Sequence, residues 1–209
     1  MKRSCPAAKV RILAAGAGEK WPQHLDEIEE FLNLLNSESV RSYLEIGISH
    51  GFTFRYVGNG LPVGAQMVGV DYHGVWTPHL RKTMDLLNER GQGAEIVWGD
   101  STDPDVVEKV RKRGPYDCVL IDGDHSYETV ALDWSNYGPM ARMVAFHDID
   151  AEHSPKWSGK KFRNRFGVPR FFNELKHKYR HVKIISKTQP GMGIGVVWTR
   201  PGDFYDPTP

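Results

Sequence analysis

Five short apolar runs cross the first 150 residues, and each ends on, or is followed at once by, glycine, aspartate or histidine. They are Tyr43–Gly47, Met67–Asp71, Ala94–Trp98, Tyr116–Asp122 and Arg142–His147. Amphipathic stretches separate them. Leu25, Ile28, Phe31, Leu32 and Leu35 form a helical stripe before the first run,. Leu80, Met84 and Leu87 form another within Leu80–Arg90, and Pro104–Arg113 opens behind Asp103 as N-cap,. A third helix follows Ser126, with Tyr127, Val130, Ala131, Trp134 and Tyr137 on one face. Strands alternating with helices predict βαβ units and a mainly parallel sheet. Right-handed crossovers then place the C-terminal ends of the strands on one edge, where open α/β sheets bind ligands.

The last third follows another pattern. Ile149–Arg165 has no apolar period and reads as a loop or insertion. Val168–Tyr179 is a helix candidate carrying Phe171, Phe172 and Leu175. His181–Ser186 and Gly193–Thr199 read as two strands closed by a turn, so the sheet is expected to end in an antiparallel pair,. The whole chain is read as one domain, with an arm over 1–24, a basic loop over 150–166 and a tail over 200–209,. With 40% hydrophobic and 25% charged residues, it has a core and a wet surface,. A net charge of +1 gives no global pull toward nucleic acid or a membrane surface,. No apolar run is long enough to span a bilayer, and the default location is cytoplasmic. Cys5 and Cys118 do not make a disulfide framework or a zinc site,.

The strand ends carry the chemistry. Glu45-Ile-Gly47-Ile-Ser49-His-Gly51 is a turn whose glycines let backbone approach a ligand,. Its Gly-x-x-x-Gly spacing does not fit a nicotinamide fingerprint. Glu45 can receive a positively charged or amine-bearing ligand, directly or through water. Asp71, 24 residues after Gly47, can accept both hydroxyls of a ribose,. Asp100 can accept from an exocyclic amine such as that of adenine, although Asp100, Ser101 and Asp103 equally suit a helix cap. Ile121-Asp122-Gly123-Asp124-His125-Ser126-Tyr127 places two carboxylates and an imidazole at the same edge, and Phe146-His147-Asp148 adds another of each. Neighbouring strands lie about 5 Å apart, so the clusters can converge. Carboxylates suit Mg²⁺, and added imidazole also suits Mn²⁺, Fe²⁺ or Zn²⁺. His125 is then a candidate general base.

Taken in order, these segments resemble the class I S-adenosylmethionine-dependent methyltransferases. The run Asp122-Gly-Asp-His-Ser-Tyr-Glu128 with Phe146-His-Asp148 is similar to the small O-methyltransferase group that includes macrocin- and catechol-type enzymes and cephalosporin-hydroxylase-like proteins. The resemblance covers about residues 25–199. It implies a Rossmann-like α/β fold, with a seven-stranded, mainly parallel sheet, strand 7 antiparallel, and helices on both faces. It implies S-adenosylmethionine as cofactor, with Gly47 and its neighbours Glu45, Ser49 and Gly51 at the methionine end. Asp71 would meet the ribose and Asp100 the adenine, with Tyr72, Ser101 and Asp122 as further cofactor-binding residues. It also implies a divalent metal, Mg²⁺ or Mn²⁺, on Asp122 or Asp124 with His147 and Asp148. His147 stands where relatives often carry an acid.

The expected reaction is O-methylation of a small-molecule or sugar hydroxyl, with His125 or Asp122 taking the proton. Two alternatives remain open: a metal-independent N- or O-methyltransferase using His125, and a cofactor-binding accessory protein without turnover. A nucleic-acid methyltransferase would rest on the basic loop alone, because neither an Asn-Pro-Pro-Tyr-type nor a Pro-Cys motif is present. Residues 156–170 carry Lys156, Lys160, Lys161, Arg163, Arg165 and Arg170 with Trp157 and Phe162, and no acid. It can attract an anionic acceptor or remain a solvated surface. A homodimer is compatible with the sequence.

Overall fold

The computed structural model describes residues 24–72, 77–154 and 166–200. Thirteen regular elements follow in chain order among them. They are α1 (Leu25–Ser37), β1 (Ser42–Ile46), α2 (Phe52–Gly60), β2 (Gln66–Asp71), α3 (Pro78–Glu89), β3 (Gly93–Trp98), α4 (Pro104–Arg111), β4 (Tyr116–Ile121), α5 (Tyr127–Tyr137), β5 (Ala141–His147), α6 (Val168–Leu175), β6 (His181–Ile184) and β7 (Ile194–Trp198). Short 3₁₀ turns cover Gly138–Met140 and Ala151–His153. The arm, the tail and most of the basic loop lie outside the described residues.

The seven strands form one sheet in the order β3-β2-β1-β4-β5-β7-β6. β7 runs antiparallel to β5 and β6, and the remaining pairs are parallel. The inner strands are continuous apolar runs because both faces are covered. One face packs Tyr43, Met67, Cys118, Leu120 and Ala145 against α1, α2 and α3. The other packs Leu44, Val68, Val119, Ile121 and Phe146 against α4, α5 and α6. Cys118 is a buried free thiol. No described helix is long and apolar enough to cross a membrane.

Among the differences from the sequence reading, two helix boundaries and one unread helix have local causes. α3 begins at Pro78 because Thr77 Oγ1 accepts the Leu80 N–H at 3.1 Å and proline suits the first turn,. α6 stops at Leu175, where its buried stripe of Val168, Phe171, Phe172 and Leu175 ends. α2 has no counterpart in the sequence reading. Its FTFRYVGNG segment is rich in aromatic residues and glycine, and Thr53 through Gly58 are all buried, so no amphipathic period marks it,.

β1 leads outward through β2 to β3, whereas β4 leads the other way through β5. The crevice between the C-terminal ends of β1 and β4 is therefore the topological switch point of the sheet,.

Candidate active site

At the switch point the loops after β1 and β4 are pressed together. Gly47 has φ +86°, and a Cβ there would lie 2.4 Å from the Asp122 carbonyl oxygen and 2.6 Å from Gly123 Cα. Gly47 N–H donates to Val70 O at 2.8 Å, and Asp122 N–H donates to Ile46 O at 2.9 Å. The turn continues through Ser49, whose φ of +47° is unusual for a residue with a side chain,. Its N–H donates to Asp71 Oδ2 at 2.7 Å, so the β2 carboxylate fixes the β1 loop. Gly51, at φ +79°, then starts α2. Tyr72 is exposed beside Asp71.

Glu45 lies deeper. It is buried, and Tyr43 Oη–H donates to its Oε2 at 2.7 Å. Burial pushes its carboxyl well above the usual range, against the pull of Tyr43. The structure therefore places Glu45 beneath the crevice rather than on its surface.

The β3 loop brings Asp100 and Ser101 to the same edge. Asp100 is exposed, and its Oδ1 accepts from both the N–H (2.8 Å) and the hydroxyl (2.7 Å) of Thr102. Those bonds hold its carboxyl below the usual range. The Ser101 carbonyl accepts from Tyr137 Oη–H at 2.7 Å. The N-cap of α4 is Asp103, whose Oδ1 accepts the Asp105 N–H at 2.8 Å.

The ends of β4 and β5 supply the polar cluster. One ligand atom each from Asp122, His125 and Asp148 lies within 4.8 Å of the other two. His125 Nε2 is 3.5 Å from Asp148 Oδ2. His147 sits buried beneath them, its Nδ1 3.3 Å from both Asp122 Oδ1 and Asp148 Oδ1. Burial opposes its charge, but the two carboxylates outweigh this and raise its pKa well above the usual value. Burial likewise opposes ionisation of Asp148, and His147 and His125 more than reverse it. Asp148 adopts φ +62°, a left-handed conformation that turns its carboxylate back beside the strand it follows,. Asp124 stands apart from the trio, because its Oδ1 accepts the Ser126 N–H at 2.8 Å.

His125 also faces a cleft of about 1410 Å³ whose wall includes Tyr127, Asp150, His153, Phe166, Arg170 and Lys183. Its ring stacks on Phe166 at 5.2 Å between centroids. The cleft thus adjoins the carboxylate–imidazole cluster. The two carboxylates suit Mg²⁺, and the added imidazole also suits Mn²⁺, Fe²⁺ or Zn²⁺,. The close approach of two backbones at Gly47 matches a cradle for an extended cofactor.

Asp133 on α5 was not anticipated as a site residue. It is fully buried between Val130 and Tyr137, on the stripe that the sequence marks as apolar. A carboxylate three residues after Val130 and four before Tyr137 was the available signal. The His153–Asp150 pair, 2.8 Å apart at the cleft wall, was also missed, and it lies in a segment without periodicity.

No curated protein matches the sequence. Several solved structures share the fold. An O-methyltransferase from Bacillus cereus in complex with SAH is 16% identical, with a TM-score of 0.63 over 95% of this chain and 93% of that one. TomG from Streptomyces achromogenes, an O-methyltransferase involved in tomaymycin synthesis and solved with SAM, is 14% identical. Its TM-score is 0.64 over 95% of this chain and 92% of that one. The MycE methyltransferase of the mycinamycin pathway, in complex with Mg, SAH and mycinamycin VI, is 15% identical. Its TM-score is 0.58 over 92% of this chain and 54% of that one. In sequence, residues 44–155, more than half of the chain and spanning β1 through β5, match the methyltransferase domain family, to which this protein belongs.

Proposed function

We propose that this chain is an S-adenosylmethionine-dependent O-methyltransferase acting on a hydroxyl of a small molecule, with a divalent ion at Asp122 and Asp148. The observation that carries this reading is the convergence of Asp122, His125 and Asp148 within 4.8 Å at the switch point of a methyltransferase-domain sheet. The B. cereus and TomG structures hold SAH or SAM, and the MycE complex holds Mg with a small-molecule ligand, which supports the same reading here.

When bound, S-adenosylmethionine supplies a methyl group that is already strongly electrophilic, and the ion lowers the pKa of a hydroxyl in contact with it. The chain's own residues must then hold, orient and deprotonate. Gly47, Ser49 and Gly51 shape the backbone cradle, and Asp71 locks it through Ser49. Asp100 and Ser101 border the adenine end. His147, buried beneath Asp122 and Asp148 at 3.3 Å from each, fixes the orientation of both carboxylates. The two carboxylates draw a cation to the edge of the cleft. Phe166 supports the His125 ring at the junction of cluster and cleft, where Nε2 can take the hydroxyl proton.

A second role for His125 follows from the same distances: its Nε2 lies close enough to Asp122 and Asp148 to be a third ion ligand. His125→Ala separates the two. As a base, its loss lowers turnover by about 10²–10⁴-fold while Mn²⁺ and cofactor affinities hold. As a ligand, its loss removes Mn²⁺ binding in calorimetry. Unchanged turnover together with unchanged Mn²⁺ binding would exclude His125 from both roles.

The acceptor's charge is less constrained. Arg170 and Lys183 share the cleft wall with Asp124, Glu128, Asp150 and Glu152. Arg170 is engaged by Glu174 at 3.2 Å and lies over the Tyr127 ring at 4.3 Å. A neutral, hydroxyl-bearing ring suits this mixed wall as well as an anion does.

A further inference from the structure

Glu27, in the first turn of α1, is a buried carboxylate that the chemistry described above does not use. It shares the inward face of α1 with Ile28, Phe31, Leu32 and Leu35. A buried polar group is costly unless donors reach it. Here both oxygens are met by the backbone of the segment that joins β6 to β7. Glu27 Oε1 accepts the Ser186 N–H at 2.7 Å, and Oε2 accepts the Gly193 N–H at 3.2 Å. His24 Nδ1 lies 3.4 Å from Oε1. One carboxylate therefore clasps both ends of the β6–β7 connection against the start of α1. Asp26 holds only the first end, where its Oδ2 accepts from the Ser186 hydroxyl at 2.8 Å and the Lys187 N–H at 3.2 Å.

The Gly193 end of that connection leads to the carboxylate–imidazole cluster. Regular pairing of β5 with β7 ends at His147 opposite Ile194. The next bonds run from the Ile149 N–H to Gly193 O at 3.3 Å and from the Asp150 N–H to Met192 O at 2.7 Å. The chain leaving β5 thus advances two residues, His147 to Ile149, while its partner advances one, Ile194 to Gly193. Asp148 is the extra residue, a bulge at φ +62°,. In a regular strand His147 and Asp148 would point to opposite faces of the sheet. The bulge instead brings Asp148 Oδ1 to 3.3 Å from His147 Nδ1 and Oδ2 to 3.5 Å from His125 Nε2. The two backbones are tightly apposed there. A Cβ on Gly193 would lie 3.1 Å from Ile149 Cγ1 and 3.2 Å from Asp150 Cβ.

We infer that Glu27 is a positioning residue for the divalent ion: by holding Gly193 it fixes the bulge that turns Asp148 toward Asp122 and His125. The inference rests on the proposed ion site at Asp122 and Asp148. A carboxylate suits this task because its two oxygens accept from two N–H groups that stand seven residues apart in sequence. Glutamine offers one acceptor and turns an NH₂ toward a donor. Aspartate is one methylene shorter and cannot span both ends of the clasp. Support of this kind for a metal ligand acts through its orientation, without contact with the ion.

The test is calorimetric titration of the full chain with Mn²⁺, beside its thermal midpoint and its amide hydrogen exchange. Glu27→Gln should weaken Mn²⁺ binding by about 10- to 100-fold and leave S-adenosylhomocysteine affinity nearly unchanged. It should also speed exchange at the Ile149 and Asp150 amides. Glu27→Asp should shift Mn²⁺ affinity and exchange in the same direction, and it carries the test if the glutamine variant does not fold. Two controls separate positioning from a general loss of stability. Leu35→Ala opens a cavity on the same face of α1 and lowers the thermal midpoint. Asp26→Ala frees only the Ser186 end of the connection. Both should keep wild-type Mn²⁺ affinity and wild-type exchange at Ile149 and Asp150. Wild-type Mn²⁺ affinity in a folded Glu27 variant, or an equal loss of affinity in either control, overturns the inference alone. A wild-type chain that binds no Mn²⁺ overturns the ion site and the inference with it.

Discussion

Gly47 shows how much a single residue decides at the switch point. It combines φ +86° with no room for a Cβ, since the Asp122 carbonyl lies 2.4 Å from where that atom would stand. Gly47→Ala therefore strains its own backbone and wedges the β1 and β4 loops apart. The expected cost is about 2–4 kcal/mol, read as a drop in thermal midpoint, with loss of S-adenosylhomocysteine binding. Unchanged melting and binding would mean that these loops yield easily. Asp133 makes the opposite case. Burial raises its carboxyl from 3.8 to about 6. Between those values the folded chain binds more protons than the unfolded one, so stability falls as pH rises from about 4 to 6 and stays lower above. Asp133→Asn should then be more stable than wild type above pH 6, by at most about 3 kcal/mol, with the gap closing toward pH 4. Denaturant titrations at several pH values would show it, and an equal gap at pH 4 and pH 7 would contradict it.

Among the elements, the strands were the most legible in sequence. Runs such as Tyr116–Ile121 are buried on both faces, so they read as continuous apolar segments closed by Asp or Gly,. α5 was legible from Ser126 as N-cap, and the structure shows Ser126 Oγ accepting the Thr129 N–H at 3.3 Å. Ser126→Ala should cost about 1 kcal/mol in thermal or denaturant melts. Because His125 is the adjoining residue, the same change should lower turnover more than stability. A variant as active as wild type would show that Phe166 and Asp148 hold His125 without the cap. α2 stayed hidden because all-round burial erases the helical period. The division of labour between His147 and His125 was equally unreadable. Both stand at strand ends, but His147, the last residue of β5, points under the cluster. Asp148 then turns its carboxylate back through a left-handed φ that no sequence period encodes. Asp124, next to the chemistry in sequence, is drawn off by a local turn to Ser126.

At the scale of the whole molecule, the sheet order does most of the functional work. Reversal of strand order between β1 and β4 opens one crevice, and loops from β1, β2 and β3 border it with Gly47, Asp71 and Ser101. β4 and β5, adjacent and parallel, deliver Asp122, His125 and Asp148 to its other side. The antiparallel β7 lies beside β5, with β6 at the edge, and α6 walls the cleft with Arg170. In the proposed reading, cofactor, ion and acceptor take separate walls that meet at His125. The most direct test is anomalous scattering from crystals soaked with Mn²⁺ and S-adenosylhomocysteine. The predicted result is one strong Mn²⁺ peak among Asp122, His125 and Asp148, with the nucleoside lying across the ends of β1, β2 and β3. An empty cluster at saturating Mn²⁺, or the nucleoside bound away from the β1–β4 crevice, would contradict it.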